Sequence, residues 1–129
     1  MKRFLKWTGI VLLVLIAIMM IFAFVGKEET INLNIETVDL TKIADGTYVG
    51  SYENFRWTNK VEVNVNDHKI AGIKPLKIQD GRDDLVKNLT MRILDRQSPD
   101  VDAVSGATAS SNGFLKAVET ALRSAAVNP

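Results

Sequence analysis

Val61-Glu62-Val63-Asn64-Val65-Asn66-Asp67-His68-Lys69-Ile70-Ala71-Gly72-Ile73 reads as a β-hairpin. Val61, Val63 and Val65 alternate with polar residues, the period of a strand with one buried face. Asn66 to Lys69 supplies the tight turn, with His68 exposed in it, and Ile70 begins the returning strand. Pro75 has no N–H to give a ladder, so Leu76-Lys77-Ile78 is expected at an edge or beyond a bend. Upstream, Asp45-Gly46 marks a turn, and Thr47 to Tyr52 forms a further strand joined to the hairpin through Asn54 to Asn59. Gly50 inside that strand signals a bulge or a close approach by another element. Tyr48 and Tyr52 share one face and are read as packing residues.

Downstream the period changes. After the turn Gln79-Asp80-Gly81-Arg82-Asp83, Asp83 is expected to cap a helix running to about Gln97, with Val86, Leu89, Ile93 and Leu94 as its apolar stripe. Ser98-Pro99-Asp100 stops it. A last helix carries Phe114, Leu115, Val118, Ala121, Leu122 and Ala125 at helical spacing. Strand, hairpin, helix, loop and helix give an α+β domain: a small antiparallel sheet with two or more packed helices. Asp80, Asp83 and Asp84 form an acidic cluster, read as a solvated turn and helix cap in preference to a calcium site.

The 129-residue chain opens differently. Gly9 to Val25 has no charged or strongly polar side chain, and about 17 to 20 apolar residues span roughly 25–30 Å, near the thickness of a bilayer core. Lys2, Arg3 and Lys6 precede this segment and Lys27-Glu28-Glu29 follows it, placing the N-terminus inside and the rest outside. Trp7 sits where an interfacial aromatic belongs. A cleaved signal peptide is the competing reading, but Ile21 or Phe24 would occupy a position that wants a small residue. One N-terminal transmembrane helix is therefore expected, in a single-pass protein of the cell membrane. The division is a membrane anchor with a short cytoplasmic basic end over 1–26, a tether over 27–43 and a folded domain over 44–129. In the tether Ile31, Leu33 and Ile35 alternate loosely, as a spacer or an edge strand would.

Of the 16 Lys and Arg, three precede the apolar segment, leaving 13 against 15 Asp and Glu beyond it. That balance offers no basic face for nucleic acid. No cysteine is present, which excludes disulfides, iron–sulfur clusters, thiolate zinc sites and covalent c-type haem within the chain. A lone histidine makes a histidine-based metal site improbable, so a redox centre would be organic.

Between the two helical patterns lies Asp102-Ala-Val-Ser105-Gly106-Ala107-Thr108-Ala-Ser110-Ser111. Gly106 frees the backbone for conformations closed to other residues, and Ala107 adds little bulk. The first amides of the helix that follows lack intrahelical acceptors and favour an anion. Ser110 and Ser111 add hydroxyls, so a phosphate could be held without lysine or arginine. On residue types alone an ordinary helix start with a serine cap competes with this reading and is the commoner case. A serine nucleophile lacks a histidine partner, and a Walker-type loop lacks its Gly-Lys-Ser/Thr element.

The same stretch resembles the flavinylation motif of FMN-binding domain proteins, a domain type also found in subunits of sodium-pumping NADH:quinone reductase and related ion-translocating electron-transfer complexes. The resemblance extends from about Asp45 to Ala125 and includes Asp45-Gly46-Thr47-Tyr48-Val49-Gly50, the Asp67-His68-Lys69 turn and Ile93-Leu94-Asp95-Arg96-Gln97-Ser98. His68 stands where the family's turn commonly has glycine. The resemblance implies covalent FMN, joined through a phosphoester to Thr108, with Ser105, Gly106, Ala107, Ser110 and Ser111 around it. It implies a flavin transferase that uses FAD as donor and recognises Asp102. Trp57 and Phe55 become candidates to stack on the flavin, against ordinary packing as the default. The implied protein is an extracytoplasmic electron-transfer carrier, drawing on a membrane dehydrogenase or quinol and passing electrons to an unidentified extracytoplasmic acceptor. A small reductase acting directly on a substrate, or a flavin-free binding or sensory module, are the alternatives.

Overall fold

The structure is a computed structural model that describes residues 1–79 and 81–127; Asp80 of the expected acidic cluster lies outside them. Helix α1 (Lys2–Phe24) is followed by a short α2 (Lys27–Ile31), strands β1 (Gly46–Tyr52), β2 (Asn59–Asn66) and β3 (Lys69–Lys77), then α3 (Asp83–Arg96) and α4 (Thr108–Val127). The strands form an antiparallel sheet in the order β1-β2-β3. Helix α4 lies over β1 and β2, while α3 packs against β3 and α4. The result is the expected two-layer α+β domain, preceded by an apolar helix with the length and composition to cross a bilayer.

Val61, Val63 and Val65 all point into the core, at no more than 1% exposure. Asp67 and His68 both have positive φ, 53° and 60°, the requirement of the two-residue hairpin turn that matches strand twist. His68 Nδ1 also lies 3.1 Å from the Ile43 carbonyl, which ties the turn to the incoming chain.

Strand β3 departs from simple alternation. Ile70 and Ile73 are three residues apart, so an unbroken strand would send them to opposite faces. The register shifts between Asn64 and Val65, which pair with Gly72 and Ile70 respectively. That bulge leaves Ala71 unpaired and brings both isoleucines against the core. A second shift between Lys60 and Val61 falls beside Pro75, and the strand runs on to Lys77 at the sheet edge.

In β1, Gly50 is the point of closest approach to α4. A Cβ there would sit 2.2 Å from Ala121 N and 2.3 Å from Ala117 O. The glycine thus marks an approach by helix backbone, and the bulges lie in β3 instead.

The expected α3 stripe is buried at Val86, Leu89 and Ile93, with Leu94 half-buried. Its start differs from expectation. Arg82 holds the N-cap position without a side-chain cap, and Asp83 is already helical. Asp83 and Asp84 are exposed in the first turn, where carboxylates complement the positive helix end. Gln97 ends the helix in the left-handed region and closes on β3, its Oε1 accepting from Ile70 N–H (2.6 Å) and its Nε2 donating to Ile70 O (3.1 Å). All six apolar residues expected to face the core from α4 are buried.

Residues 27–43 contain no strand and run alongside α4. Asn112 Nδ2 donates to the Thr30 and Ile31 carbonyls (3.1 and 3.0 Å), and Lys116 Nζ donates to Asn34 O (3.2 Å). Arg123 pairs with Glu36. Ile35, Val38 and Leu40 pack on the core, and Ile43 is fully buried. Asp39 caps the 3-10 turn Leu40–Lys42; the Thr41 hydroxyl and amide hold its carboxyl below the usual carboxylate range.

Glu119 is a buried charge within this contact, at 1% exposure. Its Oε2 accepts from Lys116 Nζ at 3.0 Å, and Arg123 Nε lies 2.8 Å from Oε1 at an angle outside that of a hydrogen bond. Glu119→Gln keeps the volume but removes the charge both cations face. A loss of about 1.5–3 kcal/mol in urea unfolding is expected, the size of a hydrogen bond to a charged group.

Candidate functional site

The site begins with how α4 starts. Ala107 N–H bonds to Val104 O (3.0 Å), closing a turn in which Gly106 takes φ +81°. Positive φ is required at that position of such a turn, which is why glycine stands there. The first helical bond then runs from Ser111 N–H to Ala107 O at 2.9 Å. The amides of Thr108, Ala109 and Ser110 consequently have no intrahelical acceptor.

Ala107 occupies the position a serine cap was expected to fill, and the serines lie inside the helix. Ser111 is fully buried; its Oγ accepts from Val104 N–H (3.0 Å) and so fastens the loop to α4. Ser110 is buried and paired with Gln79 at 2.8 Å. With the Gln79 carboxamide turned so that its oxygen faces Arg56, the guanidinium lies 3.1 Å away through Nε, and the chain Arg56–Gln79–Ser110 is fully bonded. Thr108 is exposed, and its hydroxyl makes no hydrogen bond among the described residues.

In front of these residues lies an open cleft of about 300 Å³, lined by Gly106, Ala107, Thr108, Ala109 and Ser110 together with Lys27, Ile31, Trp57 and Arg82. That volume is at the lower end for a small-molecule site. The α4 side offers amides and a free hydroxyl, and Lys27 and Arg82 add positive charge near them. An anion held here therefore meets two cationic side chains as well as backbone, beyond what the motif alone requires. Trp57 supplies the aromatic surface. Its Nε1 donates to Val25 O (3.3 Å), and the Arg56 guanidinium lies 4.9 Å from its ring centre.

Trp57 thus lines the cleft, whereas Phe55 is exposed outside it. Ser105 is exposed in the turn before Gly106, and Ser111 does not line the cleft. Asp102 stands on a separate recess with Arg92, Asp95, Arg96 and Val101. Arg92 Nη1 donates to the Asp102 carbonyl at 2.8 Å, which leaves the exposed Asp102 carboxylate out of that bond. Lys27, Ile31 and Arg82 are not signalled by any local motif: the first two come from the segment after α1, and Arg82 from the turn before α3.

Fold and site together define a small α+β ligand-binding domain, with a cleft whose lining combines donors and cations for a phosphate with apolar and aromatic surface for a flat ring. Residues 56–123 match the model of the FMN-binding domain family. The match covers more than half of the chain, from the 3-10 turn Phe55–Trp57 through most of α4, and the chain belongs to this family. No curated protein matches it. The cleft residues fit FMN: Lys27, Arg82 and the first α4 amides suit its phosphate, and Trp57 with Ile31 suits its ring.

Proposed function

We propose that this protein is a membrane-anchored, extracytoplasmic flavoprotein that carries FMN covalently on Thr108 and relays electrons. The observation that carries this reading is the Thr108 hydroxyl, exposed and unbonded among the described residues, on a residue that lines a cleft together with cationic and aromatic side chains. A hydroxyl free of internal partners is accessible to a modifying enzyme, and its product would already lie at the cleft. In the proposed attachment, a flavin transferase directs Thr108 Oγ1 to the FMN phosphorus of FAD. An O–P bond forms, the pyrophosphate bond breaks, AMP leaves and the hydroxyl proton is lost to base. Asp102, exposed on its own recess, is proposed as a recognition residue for the transferase.

Bound FMN would supply reversible electron transfer, while the protein supplies attachment, orientation and electrostatics. Lys2, Arg3 and Lys6 in the first turns of α1 favour an inward N-terminus and so support a domain on the outer face. The proposed donor is a membrane dehydrogenase or quinol, and the proposed acceptor is extracytoplasmic. Membranes bearing the flavinylated chain should show bleaching of flavin absorbance on addition of NADH or quinol, absent from membranes bearing Thr108→Ala. Flavin that stays oxidised with both donors would refute the relay.

A further inference from the structure

The connection between β1 and β2 buries one large apolar side chain, Trp57, and holds the other, Phe55, outward. Phe55 has φ +50°, a left-handed conformation that bulky residues rarely adopt, and the residue is 63% exposed. The turn around it is over-determined. Asn54 N–H donates to Thr58 Oγ1 (3.2 Å), the Thr58 hydroxyl donates to Phe55 O (2.7 Å), and Trp57 N–H donates to Asn54 O (2.9 Å). Strain at an exposed phenylalanine, maintained by its surroundings, points to a use for the ring outside the domain.

Its neighbours show where that ring stands. Asn54 Nδ2 donates to Gly26 O (3.3 Å), Arg56 Nη1 to Ala23 O (3.3 Å) and Trp57 Nε1 to Val25 O (3.3 Å). Residues on both sides of Phe55 are thus bonded to carbonyls at the end of α1 and in the two residues that follow it. Ala23 lies about six to nine residues from the middle of the apolar segment, about 9–13 Å along the helix, whereas half a hydrocarbon core is about 15 Å. If α1 spans the bilayer, this turn cannot stand clear of it.

We propose that the β1–β2 turn is a lipid-contacting element, with Phe55 seated between the headgroups and upper acyl chains of the leaflet from which α1 emerges. The inference rests on the membrane-spanning role of α1 given above, and it is independent of flavin attachment. Lys27 reaches headgroup level from the same place and covers the Phe24 ring at 5.2 Å, while the Arg56 guanidinium is held at the Ala23 carbonyl. Glu28, Glu29 and Glu53 offset these two cations, so the contact is apolar and persists on neutral phosphatidylcholine. Because Trp57 and Lys27 also line the Thr108 cleft, that cleft opens beside the membrane surface.

The natural chain has no cysteine, so single nitroxide labels can be placed without background. Full-length chains labelled at Phe55→Cys, Leu13→Cys and Asp67→Cys are reconstituted in phosphatidylcholine vesicles, and collisions with oxygen and with a polar nickel chelate are measured. The expected oxygen-to-nickel ratio at position 55 lies between the other two and several-fold above that at 67, in the turn at the opposite end of the sheet. A ratio at 55 equal to that at 67, with 13 protected, would overturn the lipid contact alone. Equal ratios at all three would overturn the spanning role of α1 and this inference with it. As a check that leaves Phe55 in place, Trp57 fluorescence in a Trp7→Phe chain should be quenched by lipids brominated near the headgroup end; unchanged fluorescence would contradict the proposal.

Discussion

Thr108→Ala is expected to abolish the covalent flavin adduct while leaving the fold in place. Thr108 is exposed at the first position of α4, and its hydroxyl has no partner among the described residues. Its removal should change stability by no more than about 0.5 kcal/mol, the range of an ordinary surface substitution. Flavin occupancy should fall from near one per chain to none, read by intact mass and by fluorescence of the denatured protein. Thr108→Ser keeps a hydroxyl in the same place and should retain some attachment. The neighbouring hydroxyls supply an internal control. Ser111→Ala should cost stability, because it strips the half-buried Val104 N–H of its acceptor, but should leave Thr108 able to be modified.

The second large effect is structural. Gly50→Val should destabilise the domain by more than about 3 kcal/mol, beyond the usual cost of overpacking. The atoms a Cβ would meet at 2.2 and 2.3 Å are backbone atoms of Ala121 and Ala117, which cannot rotate aside as a side-chain end could. Relief requires lifting α4 from β1, and the start of α4 carries Thr108. Urea unfolding should therefore show a lower midpoint, and flavin occupancy should fall with it although Gly50 does not line the cleft. Gly72 is a useful contrast: a Cβ there meets no atom within 4 Å, so Gly72→Ala should be nearly neutral.

Much of the architecture was legible because burial leaves a periodic trace. Val61, Val63 and Val65 announced a one-sided strand, and the α3 and α4 stripes announced helices packed on it. Gly50 was readable as a close approach, since a glycine inside an otherwise β-favouring run needs a reason. Ile70 and Ile73 show where periodicity stops informing: their spacing violates strand alternation, and only the partner strand reveals the bulge that reconciles them. Asp83 had the composition of a cap, but position within the first turn is settled by backbone geometry that composition does not encode.

The site divides the same way. Gly106 and Thr108 were legible because a turn and a helix start are local. Lys27, Ile31 and Arg82 were not, because they reach the cleft through tertiary packing. Residues 30–36 are held on α4 largely through main-chain carbonyls, which every residue possesses and no sequence pattern displays.

The central claim concerns one oxygen atom, and intact mass tests it most directly. The full-length chain, produced together with a flavin transferase, should carry a single adduct equal to FMN less one water, located by fragmentation on Thr108. An unmodified chain under those conditions, or an adduct that persists in Thr108→Ala, would contradict it.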